Sequence, residues 1–233
     1  MRDDVDLLVF GPHPDDLEIG LGGTIAKHVA LGHRVGLCDL TRGELGTNGT
    51  PEQRVQEAEA ARAVLGATWR ENLGLPDGGI GSEASHVRTI VELIRRVRPR
   101  TIAVPYGGDR HPDHVAASRL LTRAAFLSGL TRYEAVHDKW RADWLLYYFI
   151  NDSKRPSFVV DVSPCYETKR AALACHHSQF APPSTGSRET RLNTPRFQQL
   201  IESRDAQFGA LIGVAWAEGV IVRDLLTREH LLK

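Results

Sequence analysis

From Val5 to about Ser128 the chain alternates short apolar runs with segments of helical periodicity, and this alternation constrains the fold more than any other feature. The run Val5-Asp6-Leu7-Leu8-Val9-Phe10 ends at Gly11-Pro12 and reads as a buried parallel strand. A helix pattern follows over 17–31, closed by Gly32. Residues 34–40 read as a second strand, 50–65 as a helix stopped by Gly66, and 68–73 as a third strand. A helix over 85–97 stops before Pro99, a fourth strand covers 101–105, and a helix runs from Pro112 to about Ser128. At the second helix Thr50 can cap, Pro51 suits the first turn, and Gln53 can return the capping bond. Alternation of this kind predicts right-handed βαβ units. The expected fold is therefore α/β, a Rossmann-like, mostly parallel sheet with helices on both faces.

Further strands are expected at 145–150, 157–162 and 220–222, and helices at 164–177 and 194–213. The 233 residues fit one domain, with its core in 5–130 and with 131–233 completing the sheet and pocket. Residues 180–193, holding Pro182, Pro183 and Gly186, read as a loop, either a lid or a plain connection.

Composition narrows the function classes. Lys+Arg and Asp+Glu number 29 each, which weighs against a nucleic-acid binder. Zero net charge is compatible with self-association. No run approaches the ~18 apolar residues of a membrane span. The three cysteines, Cys38, Cys165 and Cys175, form no CxxC and no disulfide framework. Met1-Arg2-Asp3-Asp4 leads into an apolar run too short for a secretory signal, so a cytoplasmic location is expected.

Ligands of open parallel sheets bind beyond the carboxyl ends of the strands. Two polar clusters fall there: His13-Pro14-Asp15-Asp16 with Glu18 after the first strand, and Asp109-Arg110-His111-Pro112-Asp113-His114 after the fourth. Adjacent carboxylates repel unless positive charge sits between them. Histidines and carboxylates together suit a divalent metal, Zn²⁺ above all. His13 and Asp16, three apart at a turn into a helix, can both aim inward, which leaves Asp15 free. A third ligand must come from the second cluster, and the remaining position would take water. Either cluster alone could be a helix-capping turn; both at one sheet edge favour a site.

These residues resemble the LmbE/PIG-L-like zinc-dependent N-deacetylases. The resemblance rests on His13-Pro14-Asp15-Asp16 with Glu18, Gly20 and Gly22-Gly23-Thr24, and on His111-Pro112-Asp113-His114. Cys38 to Glu44 and His176-x-Ser178-Gln179-Phe180 extend it over most of the chain in order. Within the family the chain looks most like the bacillithiol-pathway enzymes that deacetylate N-acetylglucosaminyl-malate. Thr41-Arg42-Gly43-Glu44, Asn48-Gly49-Thr50 and Asn72 to Gly79 carry that likeness.

The resemblance implies that His13, Asp16 and His114 bind Zn²⁺, with Fe²⁺ an alternative in the cell. It implies Asp15 as general base. His111 would stabilise the oxyanion or act as acid, oriented and charged by Asp113. Arg54 and Arg110 would contact an anionic sugar substrate, and Arg42 is a further candidate from its position. Asn48 could bond a sugar hydroxyl or serve the turn with Gly49. A tyrosine common in the late helical region of related enzymes aligns with Phe197 here. His176 is expected to support the site rather than bind metal. The family also implies a homo-oligomer, commonly a hexamer, while charge balance and the lack of a long apolar run give no expectation of nucleic acid or membrane as partner.

The alternatives are a deacetylase of another GlcNAc substrate (a chitooligosaccharide, a mycothiol-type precursor or a glycolipid) and a non-catalytic metal- or sugar-binding protein. A dinucleotide site at Gly20-Leu21-Gly22-Gly23 is disfavoured. The turn after the strand carries carboxylates that would repel a pyrophosphate, so these glycines are expected to let the helix pack closely.

Overall fold

The computed structural model describes residues 4–81, 83–183 and 186–226. The sequence reading of Met1 to Asp3, and that of Ser184 and Thr185 in the predicted loop, lie outside them. Elements follow in the order β1 Leu7–Gly11, α1 Asp16–Ala30, β2 Val35–Asp39, α2 Pro51–Leu65, β3 Trp69–Asn72, α3 Ala84–Val97, β4 Thr101–Pro105 and α4 Pro112–Ser128. Next come β5 Trp144–Tyr148, β6 Phe158–Asp161, a 3₁₀ turn Ser163–Cys165, α5 Tyr166–Cys175, α6 His177–Phe180, α7 Pro195–Ile212 and β7 Ala217–Val222.

The sheet order is β3-β2-β1-β4-β5-β7-β6. The first five strands are mutually parallel, whereas β7 pairs antiparallel with both β5 and β6. The order reverses at β1, which lies between β2 and β4 with Leu7 opposite both Val35 and Thr101. A switch point of this kind opens a crevice at the carboxyl ends of the two flanking strands. The loops after β1 and β4, which carry the two polar clusters, meet there.

Alternation along β1 feeds two cores. Leu8 and Phe10 pack with Ile102, Val104, Ile90 and Leu121 on the face covered by α3 and α4. Leu7 and Val9 pack with Leu17, Ile25, Leu65 and Ile201 on the other face. Both sides of the strand are therefore dry, which explains its unbroken apolar run. Full burial of one such side chain is worth about 1.5–3 kcal/mol.

The Gly20 region does serve close packing. A Cβ on Gly20 would stand 2.2 Å from the Tyr148 ring, and one on Gly23 would stand 2.7 Å from Val162. The helix is broken nearby at Leu21, and the amides freed there, Gly23 N–H and Thr24 N–H, donate to the buried Glu218 carboxylate of β7 at 3.0 and 2.7 Å.

Three local expectations need correction. The Thr50 hydroxyl accepts the Gln53 N–H, but the Gln53 side chain turns to Glu57 instead of returning a capping bond. The helix expected over 164–177 begins as a 3₁₀ turn and breaks at His176, whose ψ of 58° departs from helical geometry. The late strand begins at Ala217 rather than Val220, because its first half pairs with β6. Among the described residues, no helix is long and apolar enough to cross a membrane. All three cysteines are free.

Candidate active site

His13 to Asp16 form the connection from β1 into α1. Asp15 stands at the helix N-cap with φ +122°, a conformation costly for a side-chain-bearing residue. Such strain persists only where surrounding contacts over-determine it, and it clusters at functional sites. Those contacts are visible: the Arg54 guanidinium, reaching in from α2, bonds the Pro14 carbonyl at 2.6 Å and Asp15 Oδ2 at 3.2 Å. Across the crevice His111 caps α4, its Nδ1 accepting the Asp113 N–H at 3.2 Å.

His13, Asp16 and His114 converge, each offering a ligand atom within 4.8 Å of the others. Asp16 Oδ2 lies 3.0 Å from His13 Nδ1 and 3.4 Å from His114 Nε2. A tetrahedral ion with bonds of about 2.0–2.1 Å would separate its donors by roughly 3.3–3.4 Å, so the spacing fits. The far ring nitrogens are also engaged in the way metal-binding histidines require. His114 Nδ1 lies 3.1 Å from Asp109 Oδ1, and His13 Nε2 lies 3.2 Å from Asp77 and 3.3 Å from Asp113. The near nitrogens thus face one another.

Electrostatics agree with a cation site. Burial disfavours a charged His114, yet Asp16 and Asp109 raise its pKa to about 9. His13 is likewise carried well above its ordinary value, against burial, by bonds to Asp113, Asp16 and Asp77. Asp16 is held well below the carboxylate range, against burial, by His114 and His13. A divalent ion would displace the protons that the carboxylates draw onto these rings. His111 goes the other way: burial and the neighbouring His114 and His13 depress its pKa. Burial pushes Asp15 up to about 6, opposed by Arg54 and aided by Asp16.

The cluster forms the wall of a cavity of about 410 Å³. Asp15, Asp16, His13, His111, Asp113, His114, Arg54 and Arg110 all line it. Arg54 is 4% exposed, and two of its nitrogens are bonded to Gly43, Pro14 and Asp15. Arg110 is exposed and, among the described residues, has only its backbone N–H tied, to Asp152. Arg42 is exposed and lies outside the cavity lining. Asn48 is buried, and its amide donates to the Arg188 carbonyl and accepts the Arg188 N–H, at 2.8 and 2.9 Å. The Asp113 carboxylate accepts from Gly78 N–H and bonds His13, and it lies near enough to the His111 ring to raise its pKa in part. Phe197 is buried at the cavity and brings no hydroxyl. His176 is fully buried, its Nε2 3.3 Å from Glu18.

Sequence reasoning gave no role to Asp77, Asp109 or Gln179. Asp77 and Asp109 stand in the quoted motif segments, but their partners are set by the fold. Gln179 lines the cavity, its amide fixed by donation to the Asn48 carbonyl at 2.7 Å.

Comparison with known proteins agrees with this geometry. Residues 8–125 match the family model described as PIG-L: GlcNAc-PI de-N-acetylase. The diacetylchitobiose deacetylase of Thermococcus kodakarensis is 31% identical, over 75% of this chain and 70% of that protein. The 1D-myo-inositol 2-acetamido-2-deoxy-alpha-D-glucopyranoside deacetylase 2 of Catenulispora acidiphila is 32% identical over 53% of this chain. The chain spans about half the length of that relative, 52%. A crystal structure of a conserved protein from Thermus thermophilus superposes with a TM-score of 0.87 at 38% identity, covering 97% of this chain and 98% of that one. Neither named relative is a bacillithiol enzyme, so that finer likeness is not carried by them. A family match across half the chain, joined to a deacetylase relative covered for most of its length, settles the class: the chain belongs to the PIG-L family and is an N-deacetylase.

Proposed function

We propose that the protein hydrolyses the N-acetyl group of a small GlcNAc glycoside with an anionic aglycone, N-acetylglucosaminyl-malate of bacillithiol biosynthesis being the substrate. The observation that carries the hydrolytic reading is Asp15: a buried carboxylate in the cavity wall, beside the His13-Asp16-His114 donor set but outside it. A pure binding site has no use for such a group. Arg110, exposed at the same cavity, supports an anionic aglycone, since a guanidinium fork matches a carboxylate.

His13, Asp16 and His114 would hold the ion, Zn²⁺ or in the cell Fe²⁺. When bound, the metal supplies Lewis acidity, lowering the pKa of a water and polarising the acyl carbonyl. Asp15 accepts a proton from the attacking water and returns it to the departing amine, so that acetate and a free amino sugar leave. His111 receives the Asp113 N–H on Nδ1, and its pKa is depressed, so the neutral ring carries its proton on Nε2. From Nε2 it donates to the developing oxyanion. This choice follows from the backbone bond to Nδ1. Asp113 bonds His13, and its charge partly offsets the depression of the His111 pKa.

A second reading, a neutral GlcNAc glycoside, is favoured by the names of the two relatives, a chitobiose and an inositol glycoside deacetylase. Amine release from the Zn²⁺-loaded protein, measured on N-acetylglucosaminyl-malate, diacetylchitobiose and GlcNAc-inositol with the apo form as control, separates the two. A tenfold or greater preference for the malyl glycoside is expected. Preference for a neutral glycoside replaces the substrate, and inactivity on all three with metal bound rejects the reading.

A homo-oligomer, by family resemblance a hexamer, is proposed as the working assembly. Exposed Phe126 at 59% and Leu211 at 72% support it. A monomer in sedimentation at micromolar concentration would reject it.

A further inference from the structure

We infer that Arg191, which no motif singled out, is the second cation that reads the anionic aglycone, in the place the sequence assigned to Arg54. The inference rests on the proposed N-deacetylase of an anionic glycoside.

The first step is elimination within the cavity. A dicarboxylate aglycone calls for two cationic forks. Arg54 is enclosed, and both terminal nitrogens of its fork are taken by Asp15 and by the carbonyls of Gly43 and Pro14, leaving only the buried Nε without a partner. Turning it outward would leave Asp15 without its counter-charge and the strained turn without its brace. Arg42 does not reach the cavity lining. Of the arginines that do line it, Arg110 and Arg191 are exposed, and neither has an ion-pair partner among the described residues.

The second step is how Arg191 is held. Asn48 clasps the Arg188 backbone through both ends of its amide. Asn193 then accepts the Thr190 N–H at 2.8 Å and donates to the Arg188 carbonyl at 2.9 Å. The Thr194 hydroxyl closes the turn on the Arg191 carbonyl at 2.7 Å. These bonds present Thr190, Arg191 and Leu192 to the cavity. The Arg191 guanidinium lies over the Phe197 ring, 5.4 Å from its centroid. An aromatic face orients a guanidinium without consuming its N–H donors, which stay free for a ligand. Phe197 thereby acquires a role that needs no hydroxyl, and Asn48 becomes the anchor of the loop rather than a sugar contact.

The test compares wild type, Arg191→Met and Arg191→Lys, all Zn²⁺-loaded, on N-acetylglucosaminyl-malate and plain N-acetylglucosamine. The expected result is a 10- to 100-fold fall in the malyl-to-plain ratio of kcat/KM for Arg191→Met, expressed mainly in KM, with partial recovery in Arg191→Lys. An unchanged ratio overturns the inference, including the case where both activities fall together. Calorimetric binding of L-malate gives a second arm. If the wild type hydrolyses neither sugar, the proposed function fails. Weaker L-malate binding by Arg191→Met still sustains the role of Arg191, and equal binding ends it.

Discussion

Arg54 Nη2 lies 3.2 Å from Asp15 Oδ2, with both side chains buried and 39 residues apart in the chain. The pair joins the start of α2 to the strained turn that opens α1. It gives a carboxylate at the metal cluster a fixed counter-charge and a fixed direction. Burial raises the Asp15 pKa to about 6, and Arg54 limits that rise, which leaves a base largely ionised at neutral pH yet close enough to it to hand its proton on.

Asp15→Asn is therefore expected to lower kcat by about 10²–10⁴-fold, the range of general acid–base catalysis. Metal stoichiometry, measured by elemental analysis, should stay at the wild-type value because Asp15 is outside the donor set. Thermal stability at pH 7 should hold or rise, since the amide carries no charge to desolvate. Full activity in this variant would remove Asp15 from the mechanism.

The metal cluster predicts a graded response. Chelation should abolish amine release, and Zn²⁺ should restore it. At a metal concentration 1,000 times its Kd, binding should stabilise the fold by about 4 kcal/mol. Asp109 holds the far nitrogen of His114, so Asp109→Asn is expected to weaken metal binding by about 10–100-fold. Competition against a chelator of known affinity measures this directly. Affinity within twofold of wild type would show that Asp109 does not orient the ligand.

The boundary between what was legible and what was not follows the distance over which each feature is decided. His13 and Asp16 could be read because a strand end and a helix start, three residues apart, settle where both side chains point. The parallel core was legible for a similar reason, each strand being a local apolar run. Asp15–Arg54, His13–Asp113 and Asn48–Arg188 were illegible because each joins segments that only the finished sheet brings together. Asn48 shows the cost: residue type and turn position suggested a sugar contact or a turn role with Gly49, whereas 140 residues away a backbone segment had already claimed its amide. β7 hid its sense for the same reason, since an apolar run does not say which way it will pair.

Asn48 should accordingly behave as a structural anchor. Asn48→Ala removes two bonds to Arg188, each worth about 0.5–1.5 kcal/mol net. The expected outcome is faster hydrogen exchange across 186–193 with a several-fold rise in KM. Followed by mass spectrometry, unchanged exchange together with a raised KM would instead return Asn48 to direct sugar contact.

The last prediction concerns acid stability. Glu18 and Asp39 share the Arg70 guanidinium in a buried cluster, Arg70 Nε lying 2.7 Å from Asp39 and Nη1 2.5 Å from Glu18. Burial works to raise the Glu18 pKa, but Arg70 and His176 outweigh it and hold the group near 2. A carboxylate whose folded pKa is depressed stabilises the fold above its unfolded value, about 4.5. That contribution is lost as pH falls from about 4.5 towards 2. A shift of this size corresponds to about 3 kcal/mol. Glu18→Gln should lower the denaturation midpoint at pH 7 and flatten the decline of stability between pH 5 and 3, as followed by urea titration at each pH. Asp39 bears the opposite sign, since burial raises its pKa despite Arg70, so it cannot supply the acid-labile term. If Glu18→Gln loses stability with pH as steeply as the wild type, the acid sensitivity resides elsewhere, and the Arg70 cluster is not its source.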